Sequence, residues 1–100
     1  MSNKVDEKDV RDVLARHTQG EIEWRTPAGS IDVFTKDEVI EIKYYKNWKS
    51  GIGQVKAYGE YYPLHKKRLN LFAREGDRAS KYFEMATKLC VKEEICVTFE

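Results

Sequence analysis

The chain has 100 residues, of which 41% are hydrophobic and 35% are charged, and its formal net charge is +1. This length predicts one domain over residues 1–100, and the composition excludes a wholly disordered chain. A charge so close to zero excludes the bulk positive charge of a typical nucleic-acid binder, so such a function would depend on local clusters. The longest apolar runs are too short for a membrane span, and the first residues lack the apolar core of a signal peptide. We therefore expect an intracellular protein that is neither secreted nor membrane-embedded.

Helical and strand patterns follow one another along the chain without a repeat or a linker. Val10 and Leu14 recur at helical spacing, and the polar and apolar residues of 21–26 alternate as in a half-buried strand. A later helix is expected to be capped by Ser50 and to stop before Pro63. The order predicts an α/β fold with a mixed central sheet flanked by helices. The predicted elements are a helix (5–18), a strand (21–26), a hairpin (29–43), a helix (51–62), a strand (69–73), a helix (about 82–90) and a strand (95–99).

The hairpin over residues 29–43 carries the strongest chemical signal. Asp32, Glu41 and Lys43 stand inside its two apolar runs. Since side chains alternate along a strand, Glu41 and Lys43 share a face. A turn with an even number of unpaired residues places Asp32 opposite Glu41 or Lys43, whereas a three-residue turn places it opposite Ile42. The even registers gather two carboxylates and an ammonium within about 5 to 8 Å, which would suit a divalent metal with a base beside it.

Together with the next helix, these residues resemble a known pattern. The order Asp32, then Glu41-Ile42-Lys43, then Gln54-x-x-x-Tyr58 resembles the PD-(D/E)XK nuclease superfamily, and the helix is similar to that of its RecB-type branch. The resemblance implies a restriction-endonuclease-like αβββαβ core. The chain departs from the motif at Ile31, which stands where the family name has proline.

The resemblance implies an enzyme: a Mg²⁺-dependent deoxyribonuclease that hydrolyses DNA phosphodiester bonds with structure-selective or weakly sequence-specific action. Asp32, Glu41 and the Ile42 carbonyl would bind Mg²⁺, for which Mn²⁺ should substitute. Lys43 would orient the attacking water or help to deprotonate it. A bound Mg²⁺ would polarise the phosphoryl oxygen and lower the pKa of that water.

Further residues receive roles from the same resemblance. Gln54 is assigned to the catalytic set, where it would contact substrate or brace the site, and Tyr58 is assigned to the nucleic-acid contacts. One more acidic residue would complete the metal shell, and three compete for that role: Glu7, Glu21 and Glu23.

Basic and aromatic residues alternate just after the hairpin. Lys46, Lys49 and Lys56 could contact phosphates, and Trp48 and Tyr44 could stack an unpaired base. The rival interpretation is a catalytically silent nucleic-acid-binding or assembly module of the same fold. A small structural protein without any nucleic-acid role would instead show no divalent-metal binding. The sequence also leaves a homodimer open.

Overall fold

The computed structural model describes residues 5–99. Its five strands form one sheet in the order β1-β2-β3-β4-β5, in which β1, β2 and β3 are antiparallel neighbours and β3, β4 and β5 are parallel. The predicted mixed sheet with flanking helices is therefore confirmed. No helix within residues 5–99 combines the length and the hydropathy needed to cross a membrane. The elements are α1 (Glu7–Thr18), β1 (Glu21–Thr26), β2 (Gly29–Phe34), β3 (Glu38–Tyr44), a 3₁₀ turn (Tyr45–Asn47), α2 (Trp48–Gly59), β4 (Lys66–Phe72), α3 (Ser80–Lys92) and β5 (Ile95–Phe99).

Helices cover both faces of the sheet, so the core has two layers. On one face α1 packs against β2 and β3 through Val10 and Leu14. On the other face α2 and α3 enclose a cluster that includes Val55 and Cys90. The middle strand β3 is covered on both faces. An ionisable residue in its interior, such as Glu41, is consequently removed from water.

The second helix differs from its predicted limits. It begins at Trp48 rather than at residue 51, because the 3₁₀ turn leads directly into it and the indole of Trp48 belongs to the core. Ser50 therefore lies inside the first turn, where its hydroxyl donates to the Asn47 carbonyl. At the other end the helix stops at Gly59, and the following amides of Tyr61 and Tyr62 donate three residues back. The predicted cap was therefore wrong, whereas the helix does stop before Pro63, three residues short of the predicted limit at 62.

The alternation of β1 is interrupted in its middle. Glu23 has a left-handed backbone with φ of 50°. Before it, Ile22 lies opposite Val33, which packs against α1, whereas after it Trp24 lies opposite Ile31, which packs against α2. Directly opposed residues point to the same side of a sheet. The alternation predicted for residues 21–26 would place Ile22 and Trp24 on one face; this was wrong, and the indole lies on the α2 side.

The start of α1 offers a test of local stability. Asp6 Oδ1 accepts from the Asp9 amide at 3.1 Å, and Asp9 Oδ2 accepts from the Asp6 amide at 3.3 Å, so the two residues form a reciprocal capping box. Asp6→Ala should lower the free energy of unfolding by about 1 kcal/mol in urea titrations, because it leaves an amide at the helix start unpaired. Glu84→Ala, an exposed change within α3, should change it by less than about 0.5 kcal/mol. Equal stabilities of the two variants would contradict the role of the cap.

Candidate functional site

The hairpin between β2 and β3 adopts the even register. The Thr35 amide donates to the Glu38 carbonyl at 3.0 Å. Two residues, Lys36 and Asp37, remain in the loop. The Thr35 hydroxyl accepts from the Asp37 amide at 3.2 Å and from the Glu38 amide at 2.8 Å. Continued along the strands, this register places Asp32 opposite Glu41, as one of the two even alternatives predicted. The paired residues are Val33 with Ile40 and Phe34 with Val39.

Beyond these pairs, the Asp32 side chain enters the seam between the two strands. Its Oδ2 accepts from the Ile42 amide at 2.8 Å, so a carboxylate takes a hydrogen bond that a backbone carbonyl would accept in a regular ladder. This bond holds the carboxyl of Asp32 beside that of Glu41. On the same strand as Glu41, the Lys43 Nζ lies 3.8 Å from the Glu41 Oε2. The structure thus brings together the three residues that the hairpin pattern had singled out.

The Lys43 ammonium compensates the two buried carboxyl groups only in part, because the pKa of each remains raised. Glu41 is only 3% exposed. Burial and, next to it, the negative charge of Asp32 raise its pKa to about 9, although Lys43 opposes both effects. Burial also raises the pKa of Asp32, against the hydrogen bond from Ile42. The raised pKa favours the protonated form of Glu41, and within residues 5–99 its buried Oε1 has no hydrogen-bond partner.

The helix α2 passes closely over the stem of Lys43. A Cβ atom added to Gly51 would lie 2.6 Å from the Leu69 Cδ1 and 2.9 Å from the Lys43 Cγ. Real Cβ atoms do not approach so closely, so only glycine fits here without a shift of its neighbours. The helix consequently confines the lysine side chain, whose ammonium points toward Glu41.

Gln54 and Tyr58 lie one helical turn apart on the side of α2 that meets the sheet. The Oε1 of Gln54 is buried and has no hydrogen-bond partner among the described residues. Burial raises the pKa of Tyr58, and the charges of Glu41 and Asp32 add to the shift. Gly29, with φ of +127°, makes room for this ring, because a Cβ there would lie 3.0 Å from the Tyr58 hydroxyl oxygen.

The three acidic candidates for a further ligand lie in different surroundings. The charge of Glu7 contributes to the raised pKa of Glu41. Glu23 is exposed and its Oε2 lies 3.0 Å from the Arg11 Nη1, while Glu21 is exposed on the edge strand. Over residues 5–99 no group of three or more His, Cys, Asp or Glu side chains is arranged to hold a metal ion. The structure therefore brings two acidic side chains together, Asp32 and Glu41, which we call the acidic pair. Of the three candidates, Glu7 is the one whose charge raises the pKa of Glu41.

Two of the predicted phosphate contacts are exposed beside the start of α2. The Lys46 Nζ lies 6.0 Å from the ring centroid of Tyr45, and the Lys49 Nζ lies 5.6 Å from that of Trp48. Trp48 itself is 5% exposed. A base cannot stack on a ring enclosed in the core, so that expectation was wrong, and the indole supports Lys49 instead.

Two other candidates are held by contacts within the fold. The Lys56 Nζ lies 3.0 Å from the Glu93 Oε1 of α3. Tyr44 donates its hydroxyl to the Asp77 Oδ2 at 2.6 Å, and this bond raises the pKa of Tyr44 to about 12. The guanidinium of Arg74 also lies 4.6 Å from the Tyr44 ring centroid. Neither Lys56 nor Tyr44 is as free to meet a ligand as Lys46 and Lys49.

No family model and no solved structure matches the chain. It is similar to three KilA-N domain-containing proteins of Acanthamoeba polyphaga mimivirus. The identities are 46% over 71 residues, 49% over 70 and 40% over 77, covering 71%, 70% and 77% of this chain. The matched parts make up 19%, 28% and 22% of the relatives, so the chain spans less than a third of each.

These relatives overturn the interpretation as a nuclease. They are named for a KilA-N domain, which is a different domain family from the PD-(D/E)XK nucleases. The assignment to that superfamily and its RecB-type branch is contradicted. The metal-dependent deoxyribonuclease activity and the hydrolysis of DNA are withdrawn with it. A short acidic-x-lysine motif is common in proteins, so its spacing alone did not identify a chemistry.

Proposed function

We propose that the chain is a DNA-binding module. The relatives are KilA-N domain-containing proteins, and KilA-N domains are of a DNA-binding type. The observation that carries the proposal is a basic corner, formed by Lys46, Lys49 and the first turn of α2. Neither lysine takes part in an ion pair within the described part of the chain. The corner thus concentrates positive charge on a molecule whose net charge is only +1.

The basic corner suits a phosphate group for two physical reasons. The corner lies at the start of α2, where the helix dipole places partial positive charge that favours an anion. The two ammonium groups are held near aromatic rings, so ordering them on a phosphate costs less side-chain entropy than ordering free lysines. Contacts of this kind position a protein on the DNA backbone without reading its sequence.

Fluorescence anisotropy with a short labelled duplex tests the proposal. Affinity should fall as salt rises, with a slope of log K against log salt of about −2, because two phosphate contacts each release counterions. The DNA should be recovered intact after incubation with Mg²⁺. Absence of binding at low salt would contradict the proposal. Cleavage by the wild type but not by Lys43→Ala would contradict a function limited to binding.

The acidic pair gives this module a site for a divalent cation, with Mg²⁺ as the ion and Mn²⁺ as its substitute. Hard cations take oxygen ligands, which Asp32, Glu41 and the Ile42 carbonyl can supply. The buried, unpartnered Oε1 of Glu41 and its raised pKa support this fit, because a cation would replace the proton that the pair retains. When bound, the ion would neutralise the pair and remove its repulsion of a nearby phosphate.

Thermal unfolding tests the cation site without reference to DNA. Mn²⁺ or Mg²⁺ at a hundred times its Kd should stabilise the fold by about 2.7 kcal/mol relative to the protein in EDTA. Asp32→Asn and Glu41→Gln should abolish the response, whereas Glu75→Gln, in an exposed loop, should keep it. Equal melting temperatures of the wild type with and without millimolar Mn²⁺ would rule the site out.

Three finer expectations stay predictions of the sequence. They are the restriction-endonuclease-like arrangement of the core, the intracellular location and the homodimer. Binding of DNA by the basic corner of a single copy requires none of them.

A further inference from the structure

Near-parallel aromatic rings form a ledge at the edge of the sheet on the α2 side. The ring centroid of Phe34 lies 4.7 Å from that of Trp24 and 4.8 Å from that of His65, with interplanar angles of 19° and 14°. Tyr62 packs beside Phe34 at 4.6 Å in a tilted orientation. We call these four residues the aromatic ledge. Its ring spacing is that of offset-stacked aromatic pairs.

The rings of the ledge are held in fixed orientations. Trp24 donates its Nε1–H to the Tyr62 hydroxyl at 2.6 Å. The other ring that stacks on Phe34, that of His65, is held as well, since its Nε2 lies 3.0 Å from the Thr35 carbonyl oxygen. Trp24 nevertheless remains 38% exposed on the edge strand. Because Phe34 covers one face of the indole and Tyr62 binds its nitrogen, a preorganised aromatic surface faces the solvent.

We propose that the aromatic ledge is a stacking site for an unpaired nucleic-acid base. The inference rests on the proposed DNA binding and adds to it a preference for DNA that contains a single-stranded stretch. Stacking on aromatic rings tolerates every base, because every base has a π face. The exposed indole of Trp24 supplies that surface, which neither the buried Trp48 nor the hydrogen-bonded Tyr44 can offer.

The charges around the ledge favour a nucleic-acid strand over an apolar partner. Lys67 lies opposite Val39, which packs on the α2 side, so its side chain is on the face of the ledge, and it is not ion-paired within residues 5–99. Its neighbour Lys66 lies opposite Glu38 and faces the α1 side. Of the acidic residues of β1, Glu23 is compensated by Arg11 at 3.0 Å, whereas Glu21 lies opposite Phe34 and forms no ion pair within residues 5–99. Lys67 can therefore bind a phosphate that flanks a stacked base.

The ledge and the basic corner lie toward opposite ends of β3. His65 directly precedes Lys66, which pairs in register with Glu38 at the start of that strand, whereas Lys46 lies two residues beyond its last residue, Tyr44. Seven residues of strand separate them, which is about 20 Å and comparable to about six base pairs of duplex. A substrate with duplex on one side and an unpaired strand on the other could occupy both.

Anisotropy with two labelled probes tests the inference: a blunt duplex, and the same duplex with an oligo(dT) overhang. Trp24→Ala should weaken binding of the tailed probe about tenfold and should change binding of the blunt duplex less than about twofold. Trp24→Phe should restore part of the loss. Met85→Ala removes an equally exposed apolar side chain, at 38%, and should leave both affinities unchanged. Circular dichroism establishes that each variant is folded.

Fluorescence provides a second readout. The chain has two tryptophans, so Trp48→Phe leaves Trp24 as its only indole, and the tailed probe should quench that emission. Equal affinities of Trp24→Ala and wild type for the tailed probe, with duplex binding retained, would overturn the ledge but leave DNA binding intact. A wild type that binds neither probe would overturn both. Changes in Trp24 emission caused by phospholipid vesicles or by protein concentration, and not by DNA, would assign the ledge to another partner and overturn the inference.

Discussion

Glu41→Gln is expected to remove most of the pH dependence of stability of the cation-free protein. The pKa of Glu41 is about 9 in the folded chain against an ordinary value of 4.5, so the folded state keeps a proton that the unfolded state releases. Stability must then decline as the pH rises from 4.5 toward 9. The wild type should lose on the order of a few kcal/mol across this window. Glutamine keeps the shape of the side chain but does not titrate, so the variant should hold its stability.

Urea titrations in EDTA at several pH values measure this effect. Asp32→Asn should weaken the pH dependence in part, because the negative charge of Asp32 is the second cause of the raised pKa. Glu75→Gln serves as the control, since it lies in an exposed loop and should reproduce the wild-type curve. If Glu41→Gln declines with pH as steeply as the wild type, the buried pair is not the source of the dependence.

Local patterns were sufficient to predict much of the fold. The limits of β1 and β5 agree with their alternating and apolar runs, and the element order led to the mixed sheet. The parity of the hairpin was decided by a side chain that the sequence alone did not single out. The Thr35 hydroxyl accepts two amides of the turn and so stabilises the two-residue loop. This register is what places Asp32 opposite Glu41.

Features that depend on tertiary packing were not predicted. The lysines around Trp48 made its segment look like a surface loop, yet the core takes the indole and the helix starts there. The left-handed Glu23 has no signal in the sequence, because a positive φ is uncommon outside glycine and asparagine-like residues. That one residue transfers Trp24 to the other face of the sheet, and so the aromatic ledge could not be foreseen from strand alternation.

The residues of the acidic pair were found from the sequence, but the nuclease activity assigned to them was wrong, and their binding of a cation stays a prediction. Strand alternation and register are geometric rules, so they place Asp32, Glu41 and Lys43 together irrespective of what the site does. The same three groups can serve a hydrolase, a cation site or a buried proton-sharing pair. The KilA-N relatives contradicted the first of these uses.

Reversing two charges at the basic corner should have the largest effect on DNA binding. Lys46→Glu with Lys49→Glu should weaken binding of a duplex at low salt by at least about a hundredfold, because two phosphate contacts are lost and two repulsions are added. The slope of log K against log salt should become less steep by about 2. Glutamate near the start of a helix is favoured by its dipole, so the fold of α2 should not be weakened. The effect on binding can then be attributed to the corner itself.

The matched control reverses two exposed lysines of α3, Lys81→Glu with Lys88→Glu. Each double variant lowers the net charge of +1 by the same four units, so both reduce the overall attraction to DNA equally. Only the variant at the start of α2 should lose the salt-dependent contacts. If both weaken binding to the same extent, the DNA responds to the net charge of the molecule, and Lys46 and Lys49 do not form a phosphate site. If the α2 variant alone fails to bind, the start of this helix is where the module meets the DNA backbone.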